Sequence, residues 1–303
     1  DGGQGLFGYI GSGGIVKNVK LTNCSISCPT WLPYVGGVAG YVAEGAVIEG
    51  CSVSGNISGY DSVGGIAGAV FGTMRSCSTA SSIMSVGDSD GSFGGIAGYV
   101  DSTGLVEKCT SSATVSGNGA DTSDFGGIAG YLNGTVQNCF ATGNVSCAGY
   151  SGGIAGNVDG TIRNCFATGN SVSADSVAGN IAGYLYTDVS DPSANAEVVN
   201  CYYLDGAAPS SDEATAKTAA ELAAAEMAWV LNTTNGTEAN SGIWAQGATP
   251  VFADSTHKAV YKLTLDGSAD PGAVYSAPDG SVTLPSDPTG TNGLCFLGWF
   301  EDA

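Results

Sequence analysis

Charge is scarce in this chain, and positive charge scarcest of all. Only 12% of the 303 residues are Asp, Glu, Lys or Arg, against roughly 25% in ordinary globular domains. Eight are cations and 28 are acids, for a net charge of −20. A nucleic-acid partner is excluded, because displacing its counterions takes a surface of Lys and Arg. Anionic membranes are excluded on the same ground. No apolar run approaches the roughly 20 residues of a spanning helix, so no membrane insertion is expected in this segment. No signal-peptide pattern opens the chain, and Asp1 falls inside a repeat, so a piece of a longer protein is expected.

The chain has one histidine, His257, in a segment that reads as a linker. It has no recognisable Ser or Cys partner motif, which argues against a Ser-His or Cys-His nucleophile. The cations are Lys17, Lys20, Arg75, Lys108, Arg163, Lys217, Lys258 and Lys262. They are scattered, so no clustered base is available for a lyase acting on acidic polysaccharide, and the acidic field would repel that substrate.

Glycine is abundant instead, at 49 residues, and it falls in a repeat. A Gly-Gly-Ile-Ala-Gly signature has its second residue at Gly5, Gly37, Gly65, Gly95, Gly127, Gly153 and, degenerately, Asn180. The steps are 32, 28, 30, 32, 26 and 27 residues. A cysteine follows each signature: Cys24, Cys51, Cys77, Cys109, Cys139, Cys165 and Cys201.

Stacking the units exposes aliphatic columns. The third signature residue is Leu6, Val38, Ile66, Ile96, Ile128, Ile154 or Ile181. Four further on stand Ile10, Val42, Val70, Val100, Leu132, Val158 and Leu185. Three before the cysteine stand Leu21, Ile48, Met74, Val106, Val136, Ile162 and Val198. Gly, Thr, Ser and Val crowd these segments, which favours short strands over helix. One unit cannot bury its own apolar side, whereas stacked units bury a continuous one. The expected fold is all-β, a right-handed parallel β-helix of about seven coils, with Gly at the corners, where φ > 0 is needed, and letting neighbouring backbones approach.

Two before the cysteine stand Thr22, Glu49, Arg75, Glu107, Gln137, Arg163 and Val199. Facing outward, this column puts Arg75 between two glutamates. The cysteines themselves are expected as a structural ladder of small apolar side chains inside the rod. Stacked side chains point the same way, which disfavours disulfides. Cys28 and Cys147 are extra, and no second pair stands at zinc-site spacing.

The stretches "GTVQNCFATGNVS" (134–146) and "GTIRNCFATGN" (160–170), with the preceding "GGIAG", resemble the GLUG motif, a bacterial repeat. The resemblance covers residues 1–205 and implies a large secreted or wall-attached protein, with the putative adhesins and some immunoglobulin A peptidases as company. It implies an extracellular, bacterial cell-surface location and carries no catalytic residues.

Residues 206–256 read as a capping segment. "TAAELAAAEMAWVLN" (218–232) is expected as one helix, with Thr218 and Glu221 as a capping box. "GIWAQGATPVF" (242–252) reads as a strand. Residues 257–303, with "VTLPSDP" and "FLGWFEDA", resemble a partial Listeria–Bacteroides repeat, a small β-grasp-like module used as a spacer or contact surface.

Candidate sites lie in the insertions between coils, where solenoids carry function. Trp31 and Tyr34, stiffened by Pro29 and Pro33, are candidate sugar-stacking aromatics or an edge cover. Asp88, Asp90, Asp121 and Asp124 are candidate ligands of a weak Ca²⁺ site or a catalytic pair, the plainer reading being solvated loop acids. No other cofactor is expected. The combined reading is a non-enzymatic, monomeric surface segment, an adhesin or rigid spacer whose partner is a host glycan or matrix protein. The alternative is a carbohydrate-active β-helix with an acidic cleft.

Overall fold

A computed structural model describes residues 3–28, 32–86, 90–117, 123–173, 177–188, 190, 195–206, 214–233, 242–260, 262–263 and 274–281. Two compact units emerge, Asp1–Ala219 and Ala220–Ala303.

The first unit is a parallel β-helix. Among the described residues each coil contributes to four sheets. The first sheet stacks seven strands: Phe7–Ile10, Ala39–Val42, Ala67–Val70, Ala97–Val100, Ala129–Leu132, Ala155–Val158 and Ala182–Leu185. The second stacks seven more, from Ile15–Lys17 and Val47–Glu49 to Glu197–Val199. The third holds the long strands Lys20–Cys28, Ser52–Gly59 and Ser78–Ser85, continued by shorter pairs in later coils. The fourth runs from Tyr34–Gly36 through Asp124–Gly126 to Ala178–Gly179. Coils pair in register, so like residues stack: Val42 on Val70, Val70 on Val100, Val100 on Leu132. The aliphatic columns of the middle coils are fully buried. Leu6, in the first coil, is 53% exposed, and the strand after it, Phe7–Ile10, pairs with Ala39–Val42.

The signature glycines do not make left-handed corners, contrary to expectation. Positive φ falls instead on the residue before the ladder position: Gly50, Ser76, Lys108, Asn138, Asn164 and Asn200, at 52–64°. Asn tolerates this conformation best among residues with a Cβ. The signature glycines allow close approach of backbone. A Cβ on Gly36, Gly64, Gly94, Gly126 or Gly152 would strike the carbonyl oxygen three residues ahead.

The first coil corrects the alignment. Val16 pairs with Ile48 and Lys17 with Glu49. Asn18 takes the left-handed corner at φ 57°. The Ser52 amide bonds to the Val19 carbonyl as Ser78 bonds to that of Cys51. Val19 therefore holds the ladder position expected of Cys24, while Val16 and Lys17 replace Leu21 and Thr22. Cys24 lies half-buried at a bulge opposite Gly55. Aligning on cysteine shifted the first unit by five residues, because this coil fills the position with valine.

The shift completes the charged column. Lys17 Nζ and Arg75 Nη2 lie 3.0 and 2.9 Å from Glu49 Oε2. The bonds from Arg75 and then Lys17 hold the Glu49 carboxyl below its usual range. These exposed pairs contribute little to stability.

The other six ladder cysteines are buried, and hydrogen bonding links the middle of the ladder. The amides of Cys77, Cys109 and Cys139 donate to the sulfur one coil on, at 3.4, 3.3 and 3.3 Å. Each thiol donates to the carbonyl two residues back, as Cys139 does to Gln137 at 3.2 Å. Sulfur thus satisfies an amide that the tight corner turns inward, a role beyond small apolar packing. Cys139→Ala is expected to cost about 2–3 kcal/mol, from a lost methyl-sized contact and an orphaned Cys109 amide. Urea unfolding checks this, with Cys139→Ser costing less in the hydrogen bond.

In the second unit the expected single helix is two, Ala219–Leu222 and Ala225–Leu231, separated at Ala224, which is extended (φ −81°, ψ 143°). Leu222 and Met227 are both buried. A continuous helix would set them about 140° apart, and the break lets both face inward. The segment expected as one strand is a hairpin, Trp244–Gln246 against Pro250–Phe252. Asn232 clamps it, accepting from the Trp244 amide at 2.8 Å and donating to its carbonyl at 2.9 Å. Lys262 Nζ stands 4.8 Å from the Trp229 ring centre. Of the segment resembling a Listeria–Bacteroides repeat, Lys262–Leu263 pairs with Val274–Tyr275, and most of the rest lies outside the described residues.

Candidate functional site

The third sheet carries an open groove of about 390 Å³. Its register aligns Lys20, Ser52, Ser78, Thr110 and Phe140 in one column. Ser54 and Ala80 pair beside that column, Thr22, Ser112 and Thr142 also line the wall, and Val53 and Leu21 supply apolar surface. Hydroxyls therefore recur at strand spacing, about 4.8 Å. Phe140 is the one aromatic in the lining, and it stacks on Phe166 at 4.9 Å. The chain has 28 acidic residues, yet among the described residues none lines this groove, and Lys20 is the one charged group there. The volume falls in the range of small-ligand sites.

A second cluster lies where the first and fourth sheets meet. Tyr9, Tyr41, Phe71, Tyr99 and Tyr131 stack in series, with ring centres 4.8–5.9 Å apart. Stacking consumes the ring faces, so the ladder presents edges and hydroxyls, and it reads first as a structural spine. Two of the hydroxyls are tied to acids: Tyr99 donates to Asp101 at 3.1 Å, and Tyr131 donates to Asp159. Burial, and then the Asp159 bond, raise the Tyr131 hydroxyl above its usual range. Asp124 lies beside this pair, buried at 7% exposure. Burial pushes its carboxyl up to about 7, against hydrogen bonds from Asn157 and Ser92 that pull it down.

The structure separates the candidates chosen from sequence. Tyr34 is half-buried and packs against Tyr41 at 5.5 Å, joining the spine. Trp31, Asp88 and Asp121 lie outside the described residues. Asp90 is exposed, whereas Asp124 is buried in a strand and is no solvated loop acid. Among the described residues no three His, Cys, Asp or Glu side chains gather in a metal-ligand cluster. Sequence reasoning missed Asn157, Asp159 and the groove. The signal was present: in its column Asn157 stands where Tyr131 and Tyr184 stand in the adjacent coils.

His257 Nδ1 lies 3.6 Å from Asp254 Oδ1 in the second unit. No helix of the described residues is long and apolar enough to cross a membrane.

Comparisons with known proteins agree with this architecture. The GLUG motif matches at residues 33–58 and 121–146, so the chain carries GLUG repeats. A crystal structure of a putative immunoglobulin A1 protease from Bacteroides ovatus superposes with a TM-score of 0.52 at 22% identity, over 83% of this chain and 87% of that one. At that identity the likeness shows the β-helix fold alone. No curated protein matches the chain.

Proposed function

We propose that this chain is a non-enzymatic adhesion segment of a bacterial cell-surface protein, and that it holds neutral glycan along the groove of the third sheet. The observation that carries the reading is the lining itself: in-register hydroxyls, one aromatic ring and no carboxylate, on a chain of net charge −20. Hydroxyl arrays suit the many donors and acceptors of a sugar, and an aromatic ring suits its apolar face. The GLUG repeats and the rod-like stacking of coils support display at a cell surface.

The neighbour's name raises a protease as a second reading. Against it stand the ladder thiols, which are buried inside the coils away from any substrate. The alternative of a glycan-cleaving enzyme rests on Asp124 and Asp159 in one cluster.

The test incubates the full chain with immobilised neutral oligosaccharides and host matrix proteins, scoring retention and new reducing ends together. Retention is expected without product, and Phe140→Ala is expected to weaken it at least tenfold. Thr142→Asp, at an exposed wall position, puts a carboxylate in the groove and is expected to do the same without touching the Phe140–Phe166 stack. Retention unaffected by both changes removes the groove from the account. Released sugar ends favour the enzyme.

A further inference from the structure

The repeat departs from its own pattern at two positions that meet in space. Along the first sheet one column reads Tyr9, Tyr41, Ala69, Tyr99, Tyr131, Asn157, Tyr184. At Ala69 the ring of Phe71 fills the gap, 4.8 Å from Tyr41 and 5.9 Å from Tyr99. At Asn157 an amide stands where a ring would. Along the fourth sheet a column runs through Ser92, Asp124 and Tyr150. Asp124 is there the one carboxylate, and it is 93% buried, being 7% exposed.

The two departures face each other. Asn157 hydrogen-bonds to the Asp124 carboxyl, and the charged neighbour bearing on Asp124 is another acid, Asp159. Ser92 Oγ donates to Asp124 Oδ2 at 3.3 Å. Among the described residues Asp124 Oδ1 is buried with no donor, and so is Asn157 Oδ1. A buried carboxylate oxygen without a partner, beside a second negative charge, is costly unless something positive completes it. The Tyr131 hydroxyl donates to Asp159 and so orients that carboxylate, as outer partners orient metal ligands.

We propose that this cluster is a divalent-cation site that takes Ca²⁺, with Asp124, Asn157 and Asp159 as its side-chain ligands. Every donor is an oxygen, which selects hard cations over zinc or copper. Ca²⁺ accepts irregular geometry and completes its shell with water, whereas Mg²⁺ demands a near-octahedral set. With two carboxylates the affinity belongs at the weak end, on the order of 10⁻⁴–10⁻³ M, as in extracellular modules. The ligands come from consecutive coils, so the ion would tie one coil to the next.

The test uses the full chain stripped with chelator, then titrated with CaCl₂ to about ten times that dissociation constant, reading the thermal midpoint and the heat of binding. Calcium is expected to raise the midpoint by a few degrees. The increment is expected to vanish in Asp124→Ser, which installs the residue found one coil earlier, and in Asp159→Asn. It is expected to persist in Asp90→Asn, at the exposed loop acid. Because the readout is the calcium increment, a variant of altered basal stability still answers. No increment in the parent chain, an equal increment in Asp124→Ser, or an equal effect of MgCl₂ overturns the assignment.

Discussion

Replacing Gly126 by alanine is expected to cost more than about 4 kcal/mol, or to leave no cooperative unfolding transition. A Cβ at this position would strike the Ala129 carbonyl oxygen, and it would lie 2.8 Å from both the Ala129 carbonyl carbon and the Ala155 Cα. All three obstacles are backbone, so no rotamer change relieves them. The chain would have to open its own bend and push away the next coil. Opening one coil breaks the in-register ladders on both sides, because each coil is stabilised by its neighbours. Losses of this size arise from a short list of mechanisms, overpacking among them. Gly13 is the contrast: it has positive φ (76°) but nothing within 4 Å of a built Cβ. Gly13→Ala should cost about 1–2 kcal/mol, the conformational penalty alone. Denaturant unfolding followed by circular dichroism separates the two, and similar midpoints for both variants would refute close approach as the reason for the signature.

Removing the Asp124 carboxylate should stabilise the chelated protein above pH 7. Burial pushes the folded carboxyl up to about 7 from an ordinary value of 3.8. The folded state therefore keeps a proton that the unfolded state has released between about pH 4 and 7. Stability falls as pH rises through that window and is level above it. Lifting the carboxyl from 3.8 to about 7 corresponds to roughly 4 kcal/mol. Asp124→Ser should match the parent chain below pH 4 and exceed it by about 2–4 kcal/mol at pH 8. Thermal midpoints against pH, in chelator, check it. A parent chain whose pH profile parallels that of the variant would show that the carboxyl is not held protonated.

Much of the architecture was legible from residue order. Ile66, Ile96, Ile128 and Ile154 recur at one place in the signature, and all are fully buried. A repeat too short to bury its own apolar side has little choice but to stack, so the columns followed from counting. Glu49 and Arg75 were likewise paired by position, and they meet at 2.9 Å. The first coil was misread because cysteine served as the marker. Register is set by backbone pairing and by the left-handed corner at Asn18, and these accept Val19 in place of a thiol. The helix at 219–231 was cut in two by the need to bury both Leu222 and Met227, a demand that helix propensity does not record.

The repeat, its period and its inward columns were thus properties of the amino-acid order, since hydrophobic periodicity is local and stacking repeats it. That glycine lets neighbouring backbones approach follows from its missing Cβ, but where the left-handed corners fall was not in the residue order, because φ there is set by how the coils pair. The same holds for Asp124, Asn157 and Asp159. Asp124 and Asn157 lie 33 residues apart in the chain, on different sheets and successive coils. Coil geometry alone brings them together, and burial at that meeting point, rather than residue type, turns an ordinary aspartate into a carboxylate in need of a partner.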